Sequence, residues 1–167
     1  AEHEVYESVL ERFGARVRRL PSTPHLPDGV FVEDAAVVLD NVAVITRPGA
    51  PSRQPETASV EAALATHRPL VHVRAPATLD GGDVLVAGRT IYIGLSTRTS
   101  RVAIQQLADQ LAPFGYDVIP LAFTGCLHLK SAVTRIADDL MLVNPAWVVA
   151  DAFAGYRALT VDPAEPH

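Results

Sequence analysis

The 167-residue sequence contains a single cysteine, and what it lacks excludes several classes of protein. One cysteine allows no intrachain disulfide and no multi-cysteine metal site, which favours a reducing compartment and predicts a cytoplasmic location. No apolar run approaches the roughly 20 residues that a membrane span needs. Lys and Arg are scattered along a chain of net charge −5, whereas nucleic-acid surfaces are usually basic. We therefore expect neither a membrane nor a nucleic acid as partner.

The remaining composition, 49% hydrophobic and 20% charged, is typical of a globular protein. The length suits one domain, which we predict over residues 1–167. The first residues, AEHEVYESVLERFG, are acidic and amphipathic, unlike a signal peptide. They begin inside a helical pattern without an initiator Met, so we expect this sequence to be a piece of a longer chain.

Three helical patterns are each followed by a strand and a hairpin. The first helix presents Val5, Val9, Leu10 and Phe13, is capped by Gly14, and leads into a predicted strand over residues 15–21. The second spans about residues 56–67 and turns Val60, Ala63 and Leu64 inward. The third starts at the N-cap Ser100, presents Ile104, Leu107, Ala108 and Leu111, and ends at Gly115.

The motifs that open the hairpins recur at a fixed period. VFVED begins at residue 30, LDGGD at 79 and LHLKS at 127, with spacings of 49 and 48. Such a period indicates an array of like units, as in a propeller, with repeats of roughly 1–55, 56–99 and 100–155. If the units surround one axis, their equivalent residues converge on a central site: Glu33, Asp34, Asp80, Asp83, His128 and Lys130.

Each acidic motif has more than one interpretation. The strand around Glu33 and Asp34 looks buried, and its carboxylates then need Arg47, Arg53 or Arg98 as a partner, or a cationic ligand. Alternatively, the pair lies on a solvated edge. LDGGD is either a plain tight turn or a place where the backbone approaches a ligand closely. Asp80 and Asp83 with His128 also suit Mg or Mn, although no closely spaced histidine pair supports a metal site.

The basic residues are equally open to two interpretations. Arg53 and Arg98 lie in loops, where they are either solvated or capture a carboxylate in a bidentate manner. Lys130 is a surface charge or an ion-pair partner. In GCLHLKS, Cys126 and His128 could suggest a nucleophile and its base. Same-face neighbours on an extended strand diverge, however, and rarely reach hydrogen-bonding distance. We therefore predict that Cys126 is structural.

Five motifs in order, FVED, ITRPGAPSR, LDGGDVL, IGLSTRTS and LHLKS, resemble those of dimethylarginine dimethylaminohydrolases. This family belongs to the guanidine-modifying, or pentein, superfamily, together with arginine deiminase and the amidinotransferases. The resemblance covers about residues 24–135. It implies an α/β propeller of five pseudo-symmetric ββαβ-type units, of which about three are present. The N-terminal strand and the C-terminal unit with the nucleophilic cysteine are expected to be missing.

The resemblance also implies roles for individual residues. His128 matches the catalytic histidine and Asp80 a catalytic-site acid. The substrate-binding matches are Asp28, Glu33 and Asp34 for the guanidinium and amino groups, and Arg53 and Arg98 for the α-carboxylate. The implied reaction is hydrolysis of a methylated arginine to citrulline and dimethylamine, without cofactor or metal, and the resemblance is compatible with a homodimer. Arginine deiminase, amidinotransferase and a non-catalytic arginine-binding module remain as alternatives.

Overall fold

The computed structural model describes residues 2–162 and 164–165, and its nine strands form three separate three-stranded sheets. The strands are β1 (Ala36–Val38), β2 (Ala43–Ile45), β3 (Leu70–His72), β4 (Val84–Ala87), β5 (Thr90–Leu95), β6 (Asp117–Ala122), β7 (Val133–Ala137), β8 (Leu140–Val143) and β9 (Arg157–Thr160). The α-helices are α1 (Glu2–Arg12), α2 (Val32–Ala35), α3 (Thr57–Leu64), α4 (Arg101–Leu111) and α5 (Leu129–Ala132). Among the described residues, no helix is long and apolar enough to cross a membrane.

Each sheet has the same topology, which confirms the repeat expected from the motif spacing. Two strands form an antiparallel hairpin, and the third strand pairs in parallel with the second. A helix makes the crossover to the third strand in the first two sheets, namely α3 and α4. In the last sheet the crossover contains only a short 3-10 turn at Ala150–Ala152. The division into one domain with the repeat boundaries given above stays a prediction.

A short helical turn precedes the first strand of every hairpin. These turns start at Val32, Gly81 and Leu129, so their spacings are 49 and 48 residues, the same as those of the sequence motifs. The turns of the first and third units both contact the Gly81–Asp83 turn of the middle unit. The fold thus brings the chemically interesting motifs together at the starts of three hairpins.

Two hydrophobic clusters join the units in series. The first contains Leu107 and Leu111 of α4 together with Val42 and Val44 of the first unit and Ile91 of β5. The second packs the middle sheet against the third, and its largest fully buried members include Leu129 and Met141. Burial of such side chains contributes roughly 1.5–3 kcal/mol each. These contacts fix the positions of the three turns relative to one another.

Helix α4 confirms the signals read from its sequence. The Ser100 side chain accepts a hydrogen bond from the Ala103 amide, as an N-cap does. Ile104, Leu107 and Leu111 are buried, and Gly115 adopts φ of +80° at the end of the following 3-10 turn. Glycine has no Cβ and therefore adopts a positive φ without steric cost, which explains its presence at this position.

The N-terminal prediction is wrong in two respects. Residues 15–21 form no strand, and none of the described strands shares backbone hydrogen bonds with them. The apolar side chains of α1 are also not inward: Val5 is 63% and Phe13 is 87% exposed, whereas Glu7 is the buried residue of this helix. Glu7 pairs with Arg19, and that ion pair anchors the segment.

The FVED segment also differs from the expected buried strand. Phe31 and Val32 are 58% and 50% exposed, and residues 32–35 form the single helical turn α2. A helical turn separates consecutive side chains by about 100°, so neighbouring carboxylates point in different directions. Asp34 is consequently buried, while Glu33 lies on the outside.

Candidate active site

A cavity of about 380 Å³ lies where the three turns meet. It is lined by side chains from all three units, and these include Asp28, Asp34, Arg53, Asp80, Arg98 and His128. Six of the seven residues predicted to be catalytic or substrate-binding therefore surround one space. The exception is Glu33, whose carboxylate pairs with Lys130 outside this cavity.

Asp34 is held at both carboxylate oxygens. Its Oδ1 accepts a hydrogen bond of 2.8 Å from the Gly82 amide, and its Oδ2 accepts one of 2.8 Å from Arg53. Its backbone carbonyl accepts a hydrogen bond from the Thr46 hydroxyl. Of the three arginines considered as partners for the acidic pair, Arg53 is the one that binds Asp34. The residue is thus fixed by three separate parts of the chain.

Asp80 is 1% exposed and faces the same cavity from the middle unit. Its Oδ1 accepts a hydrogen bond of 2.7 Å from the Gly49 amide. Burial raises the pKa of Asp80, and the nearby negative charge of Asp34 adds to this effect, while the Gly49 amide opposes it. A cationic ligand between the two carboxylates would offset their mutual repulsion.

His128 lies next to both carboxylates and is oriented by a third. Its Nε2 is 3.9 Å from Asp34 Oδ1, and its Nδ1 is 3.4 Å from Asp83 Oδ1. The interaction with Asp83 raises the pKa of His128, although burial of the ring works in the opposite direction. The fold therefore favours an imidazole that holds its proton, as a general acid must.

The sequence placed Asp83 near the central site but did not reveal its contact with His128. Asp83 is fully buried and accepts hydrogen bonds of 2.6 Å from the hydroxyls of Ser96 and Thr99 and one from the Leu129 amide. Burial tends to raise the pKa of this carboxyl, but His128 and these hydrogen-bond donors outweigh it and lower the pKa. Asp83 remains ionised beneath the imidazole and fixes its orientation.

Replacement of Asp83 by Asn is expected to lower the pKa of His128, because the largest cause of its elevation is removed. A raised histidine pKa stabilises the fold below the unfolded value of about 6.5, and this stabilisation is lost as pH rises through the folded pKa. The loss in free energy of unfolding in Asp83→Asn should therefore be larger at about pH 5.5 than at about pH 8.5.

Urea unfolding at both pH values and an NMR titration of the His128 ring measure these effects. Asp117→Asn, at an exposed aspartate at the start of β6, is the matched control. Equal losses at both pH values, with an unchanged His128 titration, would show that Asp83 does not act through the imidazole.

The same geometry bears on the metal alternative. Asp34, Asp80 and His128 offer ligand atoms within 4.8 Å of one another, so they could hold a metal ion. Asp83, which the sequence also suggested as a ligand, faces the far side of the ring and is occupied by hydrogen-bond donors. A metal ligand has to be a neutral imidazole, whereas this environment raises the pKa of His128. The set suits a planar cation with several donors better than a metal ion.

Cys126 does not share the site, although it is two residues from His128. It packs at the edge of the second hydrophobic cluster, and its thiol donates a hydrogen bond to the His128 carbonyl. Burial raises the pKa of this thiol, which disfavours the reactive thiolate. The segment bends into α5 instead of forming the extended strand expected from the sequence. The structural role of Cys126 stays a prediction.

Because serine can donate the same hydrogen bond, Cys126→Ser in the full-length protein is expected to retain activity within about twofold, a small change for a neutral hydrogen bond. Citrulline formation from dimethylarginine is the assay. Complete loss of activity in a folded Cys126→Ser variant would instead make this thiol the nucleophile.

The arginine deiminase family model matches residues 15–161. The chain belongs to this family. Among its relatives, an N(G),N(G)-dimethylarginine dimethylaminohydrolase of Streptomyces coelicolor is 46% identical over 140 residues, covering 83% of the chain and 54% of the relative. The enzyme of that name from Pseudomonas aeruginosa is 29% identical over 99% of the chain and 66% of its own length. The chain thus spans about half to two thirds of these relatives.

The fold comparison agrees with this membership. The structure of a Cys-to-Ser mutant of the Pseudomonas aeruginosa enzyme with citrulline matches with a TM-score of 0.91 at 29% identity. It covers 96% of this chain and 64% of that one. An amidinotransferase from Microseira wollei, at 18% identity and a TM-score of 0.81, shares the fold. The chain therefore has the α/β fold of the arginine deiminase family, and its similarity to dimethylarginine dimethylaminohydrolases confirms the resemblance seen in its motifs.

Proposed function

We propose that this chain forms the larger part of an enzyme that hydrolyses Nω-methylated arginine, such as dimethylarginine, to citrulline and dimethylamine. The observation that carries the proposal is the meeting of Asp34, Asp80 and His128 in one cavity, with the guanidinium of Arg98 on its lining. Carboxylates and an imidazole suit a guanidinium, and an arginine suits the α-carboxylate of the same substrate. Citrulline bound to the Pseudomonas aeruginosa relative supports this choice of ligand class.

The two buried aspartates would hold the guanidinium of the substrate. A guanidinium is planar and presents its donors in a fixed fork, so two carboxylates at its edge orient it and balance its charge. Asp28, which is half exposed and also lines the cavity, is placed to accept from the amino group. In this proposal Glu33 supports substrate binding from outside the cavity, where its carboxylate forms an ion pair with Lys130.

The reaction requires a thiolate, because a resonance-stabilised cation is attacked only by a strong nucleophile. We assign this thiolate to a cysteine of the full-length protein outside residues 1–167. Its sulfur would bond to the guanidinium carbon, and the carbon–nitrogen bond to dimethylamine would break as His128 donates its proton. Neutral His128 would then take a proton from water, and the resulting hydroxide would attack the same carbon. Cleavage of the carbon–sulfur bond, with loss of the hydroxyl proton of the adduct to solvent, would release citrulline and restore the thiolate.

The test is citrulline formation from asymmetric dimethylarginine by the full-length protein, with L-arginine as the competing substrate. Release of dimethylamine together with citrulline is the expected result. Absence of turnover in a folded full-length protein would refute the proposal. Faster turnover of L-arginine would favour an arginine deiminase, a second candidate that is motivated by the matching family model.

A non-catalytic module that binds citrulline or arginine is the outcome if ligands bind without turnover. Calorimetry with L-citrulline separates this case from an inert protein. A cytoplasmic location and a homodimer belong to the same proposal, and they rest on the single cysteine and on the family resemblance respectively.

A further inference from the structure

Two hydroxyls, those of Ser96 and Thr99, contact the carboxylate that orients His128. Both donate to Oδ2 of Asp83 at 2.6 Å. This length is typical of a strong hydrogen bond from a hydroxyl to a charged oxygen. The other oxygen, Oδ1, accepts from the Leu129 amide at 3.1 Å and faces His128 Nδ1 at 3.4 Å. Among these four neighbours of the Asp83 carboxylate, the imidazole is the most distant.

The surroundings of the two hydroxyls fix the direction in which they donate. Ser96 Oγ accepts hydrogen bonds from the backbone amides of Arg98 and Thr99. Thr99 Oγ1 accepts one of 3.2 Å from the backbone amide of Asp80. An amide N–H only donates and an ionised carboxylate only accepts, so each hydroxyl directs its single proton at Asp83. Thr99 is also 1% exposed, which shields its hydrogen bond from water.

The loop that carries these hydroxyls is held at both ends against the segment that carries Asp83. It begins where β5 ends, and the Ser96 amide donates back to the Thr99 carbonyl. At its other end, the Ser100 amide donates to the Thr78 carbonyl, and the Thr78 amide donates to the Ser100 hydroxyl. Because Ser100 is also the N-cap of α4, the positions of both hydroxyls are set by the fold.

Hydroxyl donors on Asp83 change how strongly it holds a proton on its neighbour. A carboxylate that shares its charge with several donors attracts a nearby cation less strongly. In the proposed reaction, His128 has to give a proton to the departing dimethylamine and then take one from water. Such a group works best when its pKa lies near the working pH. Without the hydroxyls, Asp83 would hold the imidazolium more tightly, and the second transfer would be slower.

We propose that Thr99 and Ser96 are positioning residues whose hydroxyls share the charge of Asp83 and thereby let His128 both give and take a proton. This inference rests on the proposed function, because the need for both proton transfers comes from that reaction. The motif IGLSTRTS contributed Arg98 to the predicted site, whereas its hydroxyls had no role in that prediction.

Other charged or titratable groups surround the imidazole and have to stay unchanged in a test. They are Asp34 and Asp80 beside the ring, Asp28, Arg53 and Arg98 on the cavity lining, the Lys130–Glu33 ion pair, and the Cys126 thiol on the same segment. Replacement of a hydroxyl by a hydrogen or a methyl group adds and removes no charge, so all of these groups keep theirs.

Thr99→Val and Thr99→Ser form a matched pair, because the first removes the hydroxyl with little change of shape and the second keeps it. Ser96→Ala is an independent variant that leaves the Asp80 amide paired with Thr99. Thr90→Val, at the half-buried start of β5 outside the cavity, is the control. The measurements on the full-length protein are an NMR titration of the His128 ring and the time courses of dimethylamine and citrulline release from dimethylarginine.

Thr99→Val and Ser96→Ala are each expected to raise the pKa of His128, the opposite of the change predicted for Asp83→Asn. Thr99→Ser and Thr90→Val should leave it unchanged. At neutral pH, the first two variants should form citrulline about fivefold more slowly, as expected for the loss of one hydrogen bond. Dimethylamine should appear in a burst ahead of citrulline, because only the second step needs a neutral imidazole.

A purely structural role of the two hydroxyls predicts a different result. If their loss only loosens Asp83, the pKa of His128 falls or stays unchanged in Thr99→Val and Ser96→Ala. The inference is then wrong, while the proposed function stands. If the folded wild type releases neither product, the proposed function fails, and the titration alone then decides whether the hydroxyls share the charge of Asp83.

Discussion

His128→Ala in the full-length protein is expected to lower kcat by about 10³-fold, within the range for loss of a general acid–base group, and to leave the fold intact. The imidazole lies between Asp34 and Asp83, so its removal takes away the proton donor without unpairing the buried Arg53. The kcat for citrulline formation and the unfolding midpoint in urea are the measurements.

His72→Ala is the control for this prediction. His72 is about 41% exposed and pairs with Glu61 on the first sheet, outside the proposed catalytic cavity. It should retain full activity. A His128→Ala variant that keeps more than about a tenth of the wild-type kcat would remove the histidine from the proposed mechanism.

Gly82→Ala is expected to lower kcat/KM by about 10²-fold, the cost of a small misplacement of catalytic groups. An added Cβ would lie 2.7 Å from the His128 ring and 2.9 Å from Asp34 Oδ1. Neither neighbour is free to move, because Asp83 orients the ring and Arg53 holds the carboxylate. The methyl group therefore has to displace one of the two groups that the reaction needs.

The activity of Gly82→Ala should be measured beside its free energy of unfolding, since overpacking costs about 1–3 kcal/mol. We expect the folded variant to show an altered His128 titration by NMR. Wild-type activity in this variant would mean that the close approach of Gly82 to His128 and Asp34 has no catalytic importance.

The sequence predicted the spacing and the meeting of the motifs because both depend on the repeat. Hairpins that recur after 49 and 48 residues place equivalent turns side by side, whatever their side chains are. The cap at Ser100 and the glycine at 115 were predictable for a similar reason, since their signals are local. The exposure of the apolar side chains of α1 was not predictable from their periodicity, because an amphipathic pattern does not specify what covers it.

The directions of the carboxylates could not be predicted from the motifs alone. Asp34 is buried and Glu33 is exposed because FVED forms a helical turn and not a strand. Four residues show too little periodicity to distinguish a helical turn from a strand. The contact of Asp83 with His128 and the pairing of Glu56 with Arg53 were missed, because turns and tertiary packing bring these residues together. The spacing R-x-x-E in PSRQPE was the available signal for Glu56.

A crystal structure of the full-length protein with L-citrulline tests the central claim most directly, namely that three consecutive units build one site for a guanidino or ureido amino acid. We predict the ureido group between Asp34, Asp80 and His128, with the α-carboxylate on the Arg98 guanidinium. Citrulline bound elsewhere, or bound in this cavity with its carboxylate away from Arg98 and its ureido group away from the aspartates, would contradict the account.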